Sequence, residues 1–450
     1  MTGSRPPVTI DTSSDPAPTV IGSARMSVDD PIGDASETQV SAGVAGLRRV
    51  LRAVLCGEEI DAAPVAWPAV WWQVCLHDLD AYLFPAVRVW PDGLRPPPPL
   101  LERAQQAFRA RAVAAVRTNR QLGALLGALR AAGVAAIPLK GSWLAEQVYE
   151  DIVCRPMNDI DVLVRPADAA AAGLALEAAG YVATDAGVPD GWSRERHFRH
   201  PGERAAVELQ WHVWHATHSL LRPPDVERLW ASASRAVIAG VEAPVLAPAA
   251  HAVYLIYHLL AHQWRFPARA HLDLVLLGRR HARALSAGAL AAEARAWGLG
   301  FSAPFVWRVA HDLCGVEPAA ALAGWAPDDP AWMRAERRAA LALALPENPW
   351  RVQMSQRLCE FRSAPWWRRL ALGAAAIGIS PESLRHAHPV AMRYGGLPGG
   401  YAVRAWDLAV RRTRDLIPVG RRRAAVAEAG DDMAARLRLD RWLQAQEEKS

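Results

Sequence analysis

The chain has 450 residues, and 51 Lys plus Arg against 46 Asp plus Glu leave a net charge of +5, an excess too small for this length to require nucleic acid as a partner. A hydrophobic content of 51% is that of a globular protein with room for two or three domains. Five scattered cysteines, Cys56, Cys75, Cys154, Cys314 and Cys359, contain no CxxC pair, which excludes a zinc ribbon and a disulfide framework and fits a reducing, cytoplasmic setting.

Residues 1 to about 40 are rich in Pro, Ser, Thr, Asp and Gly, with too little apolar surface to offset the entropy of ordering, so a disordered tail is expected. The tail lacks the basic segment and apolar stretch of a secretory signal. Elsewhere the longest apolar runs, such as Leu370 to Ile379, are too short and too rich in Ala and Gly to span a bilayer. A soluble protein without a membrane partner is expected. From Ser41 the pattern turns helical, with Val44, Leu47, Val50, Leu51, Val54 and Leu55 on one stripe and an aromatic-rich second helical stretch from Trp67 to Leu83. The prolines Pro96 to Pro99 break the helix. A long helix follows from about Leu100 to Ala132, with Leu122, Leu125, Leu126 and Leu129 as its apolar stripe and Gly133 as its stop.

Val134 to Leu139 reads as a short strand, and Pro138, which has no N–H to donate, belongs at an edge or a break in pairing. Lys140-Gly141-Ser142 lies where that strand turns into the helix Trp143 to Tyr149. Such a turn offers free N–H groups, a close backbone approach at glycine, a full charge on Lys140 and a hydroxyl on Ser142, all suited to an anion; a plain strand-to-helix turn with a solvated lysine accounts for the same residues. The next strand carries Asp159 and Asp161. In an extended chain residues i and i+2 share a face, so both carboxylates point one way while Ile160, Val162 and Val164 point the other. Two acids so placed repel each other and need a cation, and Mg²⁺-like ions bridge such oxygens to phosphates. Pro166 to Ala179 is an alanine-rich helix closed by Gly180, Tyr181 to Thr184 returns to the sheet, and Gly187 to Arg196 is a polar, irregular loop. Ala206 to His212 alternates strictly, with Glu208, Gln210 and His212 on one face. If this strand neighbours the Asp strand, Glu208 becomes a third carboxylate, 47 positions after Asp161. Three carboxylates in that arrangement suit two metal ions about 4 Å apart, clamping an in-line phosphoryl displacement.

Val237-Ile238 and Val245-Leu246 flank a Gly240 turn and suggest a hairpin. Pro248 opens a helix running to about His262, with His251, His258 and His262 on one stripe and His271 and Asp273 just beyond. Two histidines four apart plus an acid have metal-ligand spacing; partly buried histidines satisfied by backbone and Asp273 give the same pattern. Ala282 to Ala296, Phe305 to Leu313, much of Ala331 to Leu345 and Trp350 to Ile379 look helical. Trp366, Trp367, Arg368 and Arg369 fit a helix packing its indoles better than a stack on nucleic acid. Arg421, Arg422 and Arg423 fit a solvated helix start.

The stretch LKGSWLAEQVYEDIVCRPMNDIDVLV, followed by LEAAGY and VELQWH, resembles the uncharacterised nucleotidyltransferase family of the DNA polymerase β-like superfamily. The matching positions are Leu139, Lys140, Gly141, Tyr149, Arg155, Asp159, Asp161, Gly180, Tyr181, Glu208 and Trp211, and the resemblance is strong over about residues 134 to 215. Many relatives carry His directly before the tryptophan, where this chain has Gln210, with His212 two residues later. The gap from Gly141-Ser142 to Asp159 is longer than in typical superfamily members. The resemblance implies that Asp159 and Asp161 hold Mg²⁺ and a nucleoside triphosphate, that Glu208 completes the metal site or takes the acceptor proton, and that Lys140, Gly141 and Ser142 contact phosphates. Arg155 would neutralise the leaving pyrophosphate or pair with a carboxylate. His212, His258, His262 and Asp273 would form a wall of the acceptor site.

The expected fold is α+β: a small mixed sheet at residues 134–235, a helical module at 41–133 before it and a helical region at 236–450 after it. The expected activity is transfer of a nucleotide from an NTP, with two Mg²⁺ ions, to an acceptor that the sequence leaves open among a small molecule, a peptide or protein, and an RNA end. Two alternatives compete: a non-catalytic scaffold retaining the fold, and a metal-dependent hydrolase built on His251, His258, His262 and Asp273.

Overall fold

The computed structural model describes residues 37–58, 60, 64–184, 195–213, 225–262, 264, 267–325, 331–345, 401 and 421–449. The expected tail up to residue 36, most of the loop from Gly187 to Arg196, Cys359, and the stretch Trp350 to Ile379 with its Trp and Arg pairs lie outside these residues. Among the described residues no helix is long and apolar enough to cross a membrane.

Helix α1 (Glu37–Cys56) buries Leu47, Val50, Leu51 and Leu55, the stripe expected from their spacing. The aromatic stretch after it forms two helices, α2 (Trp67–Leu76) and α3 (Asp80–Val87), because the chain turns at Asp78 with φ 55°. Helix α4 (Pro98–Ala131) starts on prolines, buries Leu122, Leu125, Leu126 and Leu129, and is stopped by Gly133 in the left-handed region at φ 75°.

Strands β1 (Ala136–Pro138), β2 (Asp159–Val164), β3 (Val182–Ala183), β4 (Glu195–Arg199) and β5 (Ala206–Gln210) form one mixed sheet in the order β1-β2-β5-β4-β3. Only β2 and β5 pair in parallel. Pro138 sits on an edge strand, where its missing N–H is tolerated. Pairing in β5 ends at Gln210, short of the His212 where the sequence alternation ends. Strand β4 has no counterpart among the expected strands, since Glu195, Arg196, His197 and Arg199 leave only Phe198 to signal burial. Ile160, Val162, Val164, Val207, Leu209 and Phe198 are fully buried on one face of the sheet. Helix α6 (Ala169–Ala178) covers that face, with Gly173 near Phe198, and α4 is tied to it by Gln121, whose side-chain amide donates to the Ala205 carbonyl (2.9 Å) and accepts from the Ala205 N–H (3.1 Å). The opposite face carries the acids.

Helix α5 (Gly141–Gln147) connects β1 to the loop before β2, and α7 (Val226–Ala231) precedes the expected hairpin, β6 (Ser234–Ile238) and β7 (Val241–Val245). Both turn residues, Ala239 and Gly240, have positive φ (50° and 77°), the geometry that matches the twist of a two-residue hairpin. Alanine is strained there, and the Glu146 carboxylate holds it by accepting the Ala239 N–H at 3.0 Å while also accepting from Asn119 of α4 at 2.8 Å.

Beyond the hairpin the described residues form helices: α8 (Pro248–Ala261), α9 (Arg269–Arg280), α10 (Ala287–Ala296), α11 (Ser302–Cys314), α12 (Ala320–Ala323), α13 (Ala331–Ala344) and a C-terminal helix (Arg421–Glu447). The architecture is α+β, a five-stranded mixed sheet with helices on both sides of it in sequence. Buried apolar residues from Leu47 to Leu345, with Leu439 and Leu443, make one contiguous core. Within it α9 and α11 approach closely because Gly278 has no side chain: a Cβ there would lie 2.8 Å from the ring of the fully buried Trp307. Gly278→Ala is therefore expected to cost about 1–3 kcal/mol of stability through overpacking, read as a lowered midpoint in urea unfolding with an unchanged slope.

Candidate active site

The parallel register sets Asp161 beside Glu208 and Asp159 beside Ala206, so all three acids emerge on the face away from α6. One ligand oxygen from each of Asp159, Asp161 and Glu208 lies within 4.8 Å of the others, and no other group of three His, Cys, Asp or Glu side chains converges this way among the described residues. Asp159 is exposed, Glu208 is half-buried and Asp161 is only 2% exposed. A donor set of carboxylate oxygens alone, open to solvent on one side, fits a hard divalent cation such as Mg²⁺ and suits soft or imidazole-seeking metals poorly.

The Lys140 turn is locked against this cluster. The Leu139 N–H donates to the Asp161 carbonyl at 3.0 Å, and the Ser142 N–H donates back to the Leu139 carbonyl at 3.0 Å. Lys140 itself is held at φ 48°, ψ −126°, a conformation that side chains other than glycine's rarely adopt. Its Nζ lies 2.6 Å from Asp161 Oδ1 and 3.9 Å from Glu208 Oε2. The Gln210 amide donates to the same two oxygens, at 3.0 Å and 3.4 Å. Burial raises the Asp161 carboxyl to about 7, with Lys140 opposing and Glu208 reinforcing the shift. Burial works against the Lys140 charge, but Asp161, Tyr254 and Glu208 together outweigh it and keep the ammonium protonated well above its ordinary range. Gly141 packs on Met157, whose Cγ would lie 2.9 Å from an added Cβ, so glycine is needed here for packing. The Ser142 hydroxyl is buried without a hydrogen-bond partner among the described residues.

Arg155 pairs with a different carboxylate from the three above. Its Nε and Nη2 donate to the two Asp273 oxygens at 2.7 Å and 2.8 Å, and its Nη1 donates to the Pro156 carbonyl at 3.0 Å. Tyr149 donates its hydroxyl to Asp273 Oδ1 at 2.6 Å. Arg269, one turn before Asp273 on α9, reaches Asp78 at 3.7 Å, and Arg111 of α4 reaches Asp78 at 3.8 Å and Asp80 at 2.7 Å. This chain of buried and half-buried charges ties α3, α4, the loop before β2 and α9 together beneath the acid cluster.

The model of the family described as "Uncharacterised nucleotidyltransferase" matches residues 63–315, more than half of the chain. The chain belongs to this family. The matched span runs from just before α2 to the end of α11, and so takes in the whole sheet, the three acids, Lys140 and Asp273. No curated protein and no solved structure matches the chain.

The histidines that the sequence groups together do not converge as a group of three among the described residues. His251 is fully buried and stacked on Trp143 at 4.1 Å between ring centroids, and burial lowers it to about 3. His258 and His262 lie ring to ring at 4.5 Å at the end of α8, and His212 lies just past β5. His271 is buried on α9, lowered by burial to about 4. Two residues outside the sequence-predicted set interact with the acid cluster. Gln210 bridges Asp161 and Glu208, and its place on the acid-bearing face of β5 was the available signal. Tyr254, buried on α8 between His251 and His258, lies within electrostatic reach of Lys140, Asp161 and Glu208; burial raises its hydroxyl far above the usual tyrosine value. Its signal was its place on the histidine stripe of α8.

Proposed function

We propose that the protein is a Mg²⁺-dependent nucleotidyltransferase that transfers a nucleoside monophosphate from an NTP to an acceptor and releases pyrophosphate. The observation that carries this reading is the register of β2 and β5, which sets Asp161 beside Glu208 and, with Asp159, leaves three carboxylate oxygens within 4.8 Å of one another. Bound Mg²⁺ would neutralise charge on the triphosphate and stabilise the in-line transition state. Asp159 and Asp161 would hold the ions, and Glu208 would complete the site or receive the proton of the attacking acceptor group. The acceptor oxygen forms its bond to the α-phosphorus as the bond to the pyrophosphate oxygen breaks. Lys140, from the β1–α5 turn with Gly141 and Ser142, would carry charge to the phosphates. Arg155, whose guanidinium is occupied by Asp273 and Pro156, would act by positioning the loop before β2. Tyr254, with His212, His258 and His262, would form the acceptor side of the pocket, in a small-molecule, peptide or RNA-end binding role. The region of residues 134–235 would be the catalytic core, with the helical segments on either side shaping that pocket.

Binding of each of the four NTPs to the purified chain, with and without Mg²⁺, tests the reading. Binding that requires Mg²⁺ is the expected result. A chain that binds no NTP under either condition would instead be a scaffold that has kept the fold.

A further inference from the structure

Asp161 Oδ1 and Glu208 Oε2 are already occupied by cationic and polar donors of the chain itself, Lys140 Nζ at 2.6 Å and 3.9 Å and Gln210 Nε2 at 3.0 Å and 3.4 Å. The lysine side chain is only 15% exposed, and its backbone is held at φ 48° by the bonds that join Leu139 to Asp161 and Ser142 to Leu139. A strained non-glycine residue persists where its surroundings over-determine it, and here they aim one ammonium at the carboxylates of the trio.

We propose that Lys140 is the specificity determinant of this site: as a resident cation on Asp161 and Glu208 it disfavours a free divalent ion and makes the site select the metal–triphosphate complex. The proposal rests on the nucleotidyltransferase reading and adds which form of the ligand is recognised. A divalent ion that takes these oxygens comes within a few ångströms of the ammonium in a buried setting, where like charges repel strongly. A triphosphate removes the conflict, because its oxygens offer the ammonium a new anionic partner as it leaves Asp161. Each cation then has an anionic partner in both states: ammonium on carboxylate without ligand, ammonium on phosphate and metal on carboxylate with it. Gln210 is neutral and joins both carboxylates, so it keeps them in position while the cations exchange.

The test is Mn²⁺ binding to the full chain at about pH 8, followed by electron paramagnetic resonance, alone and with each of the four α,β-methylene nucleoside triphosphates. In the wild type one analogue is expected to tighten Mn²⁺ by about tenfold or more. Lys140→Met is expected to bind free Mn²⁺ about tenfold more tightly than the wild type and to reduce the gain from the analogue to about threefold or less. Lys140→Gly removes the same charge and relaxes the positive φ, so it gives the same result if charge is the cause, and circular dichroism verifies that both variants are folded. Unchanged free Mn²⁺ affinity in both folded variants, with the Mn²⁺–analogue complex still bound by the wild type, overturns this proposal and leaves the nucleotidyltransferase reading standing. Failure of the wild type to bind Mn²⁺ in either form overturns both.

Discussion

Asp159→Asn is expected to lower nucleotide-dependent pyrophosphate release by on the order of 10³-fold while leaving the thermal midpoint unchanged. The asymmetry follows from exposure. Asp159 faces solvent at the start of β2 and an amide occupies the same volume, so the fold loses little; substitutions of that kind typically stay within about 0.5 kcal/mol. Function loses one of three oxygens that could ligate a cation. Asp161→Asn is expected to abolish the same activity and also to lower stability, because it removes the carboxylate that compensates the buried Lys140 ammonium at 2.6 Å. Measuring both variants separates chemistry from folding. An Asp159→Asn enzyme with wild-type turnover would show that the acid cluster does not carry the reaction.

Asp273→Ala is expected to destabilise the protein by about 3–5 kcal/mol, since it leaves Arg155 buried with neither of its two carboxylate contacts. For a core of this size that is a fall of roughly 10 °C in calorimetric midpoint. Replacing both partners, as in Arg155→Met with Asp273→Leu, is expected to recover most of the loss, because the larger part of the penalty is the uncompensated charge and not the missing bond. Near room temperature the Asp273→Ala chain that remains folded is expected to bind Mg²⁺–NTP more weakly than the wild type, because Arg155 and Tyr149 lose the carboxylate through which they hold the loop before β2. A midpoint within 2 °C of the wild type, by rough allowance for error, would show that the pair contributes nothing net.

The acids were legible because β periodicity is simple: alternation in DIDVLV and in AVELQ predicts which side chains share a face, and a parallel register then aligns them. Helices α1, α4, α5 and α6 and the 239–240 turn were legible through apolar stripes, prolines and glycines, whereas α2 and α3 read as one stretch because nothing in the sequence marks the turn at Asp78. Strand β4 was not legible, because charged or polar residues at every position but Phe198 carry no alternation of burial. Helix α9 was hidden behind the histidine spacing that drew attention to His271 and Asp273 as possible ligands. The fate of Asp273 itself was not readable, because its partner Arg155 is 118 positions away and no local rule pairs residues at that separation. The Lys140 contact belongs to the same class: the sequence shows a lysine at a turn, but only the left-handed backbone there aims it at Asp161.

The parallel pairing of β2 with β5 also governs when the site can come into being. Strands that run the same way cannot be joined by a tight turn, and the segment between these two holds α6, β3 and β4, so the third acid arrives only after a long excursion of the chain has closed. A chain emerging from the ribosome with β2 in place but β5 still in the exit tunnel has two crowded acids and no site. On the proposed reading, affinity for the Mn²⁺–triphosphate complex reports sheet completion: a folding intermediate that has formed its helices and lacks the β2–β5 ladder would not bind it, however native its helical content.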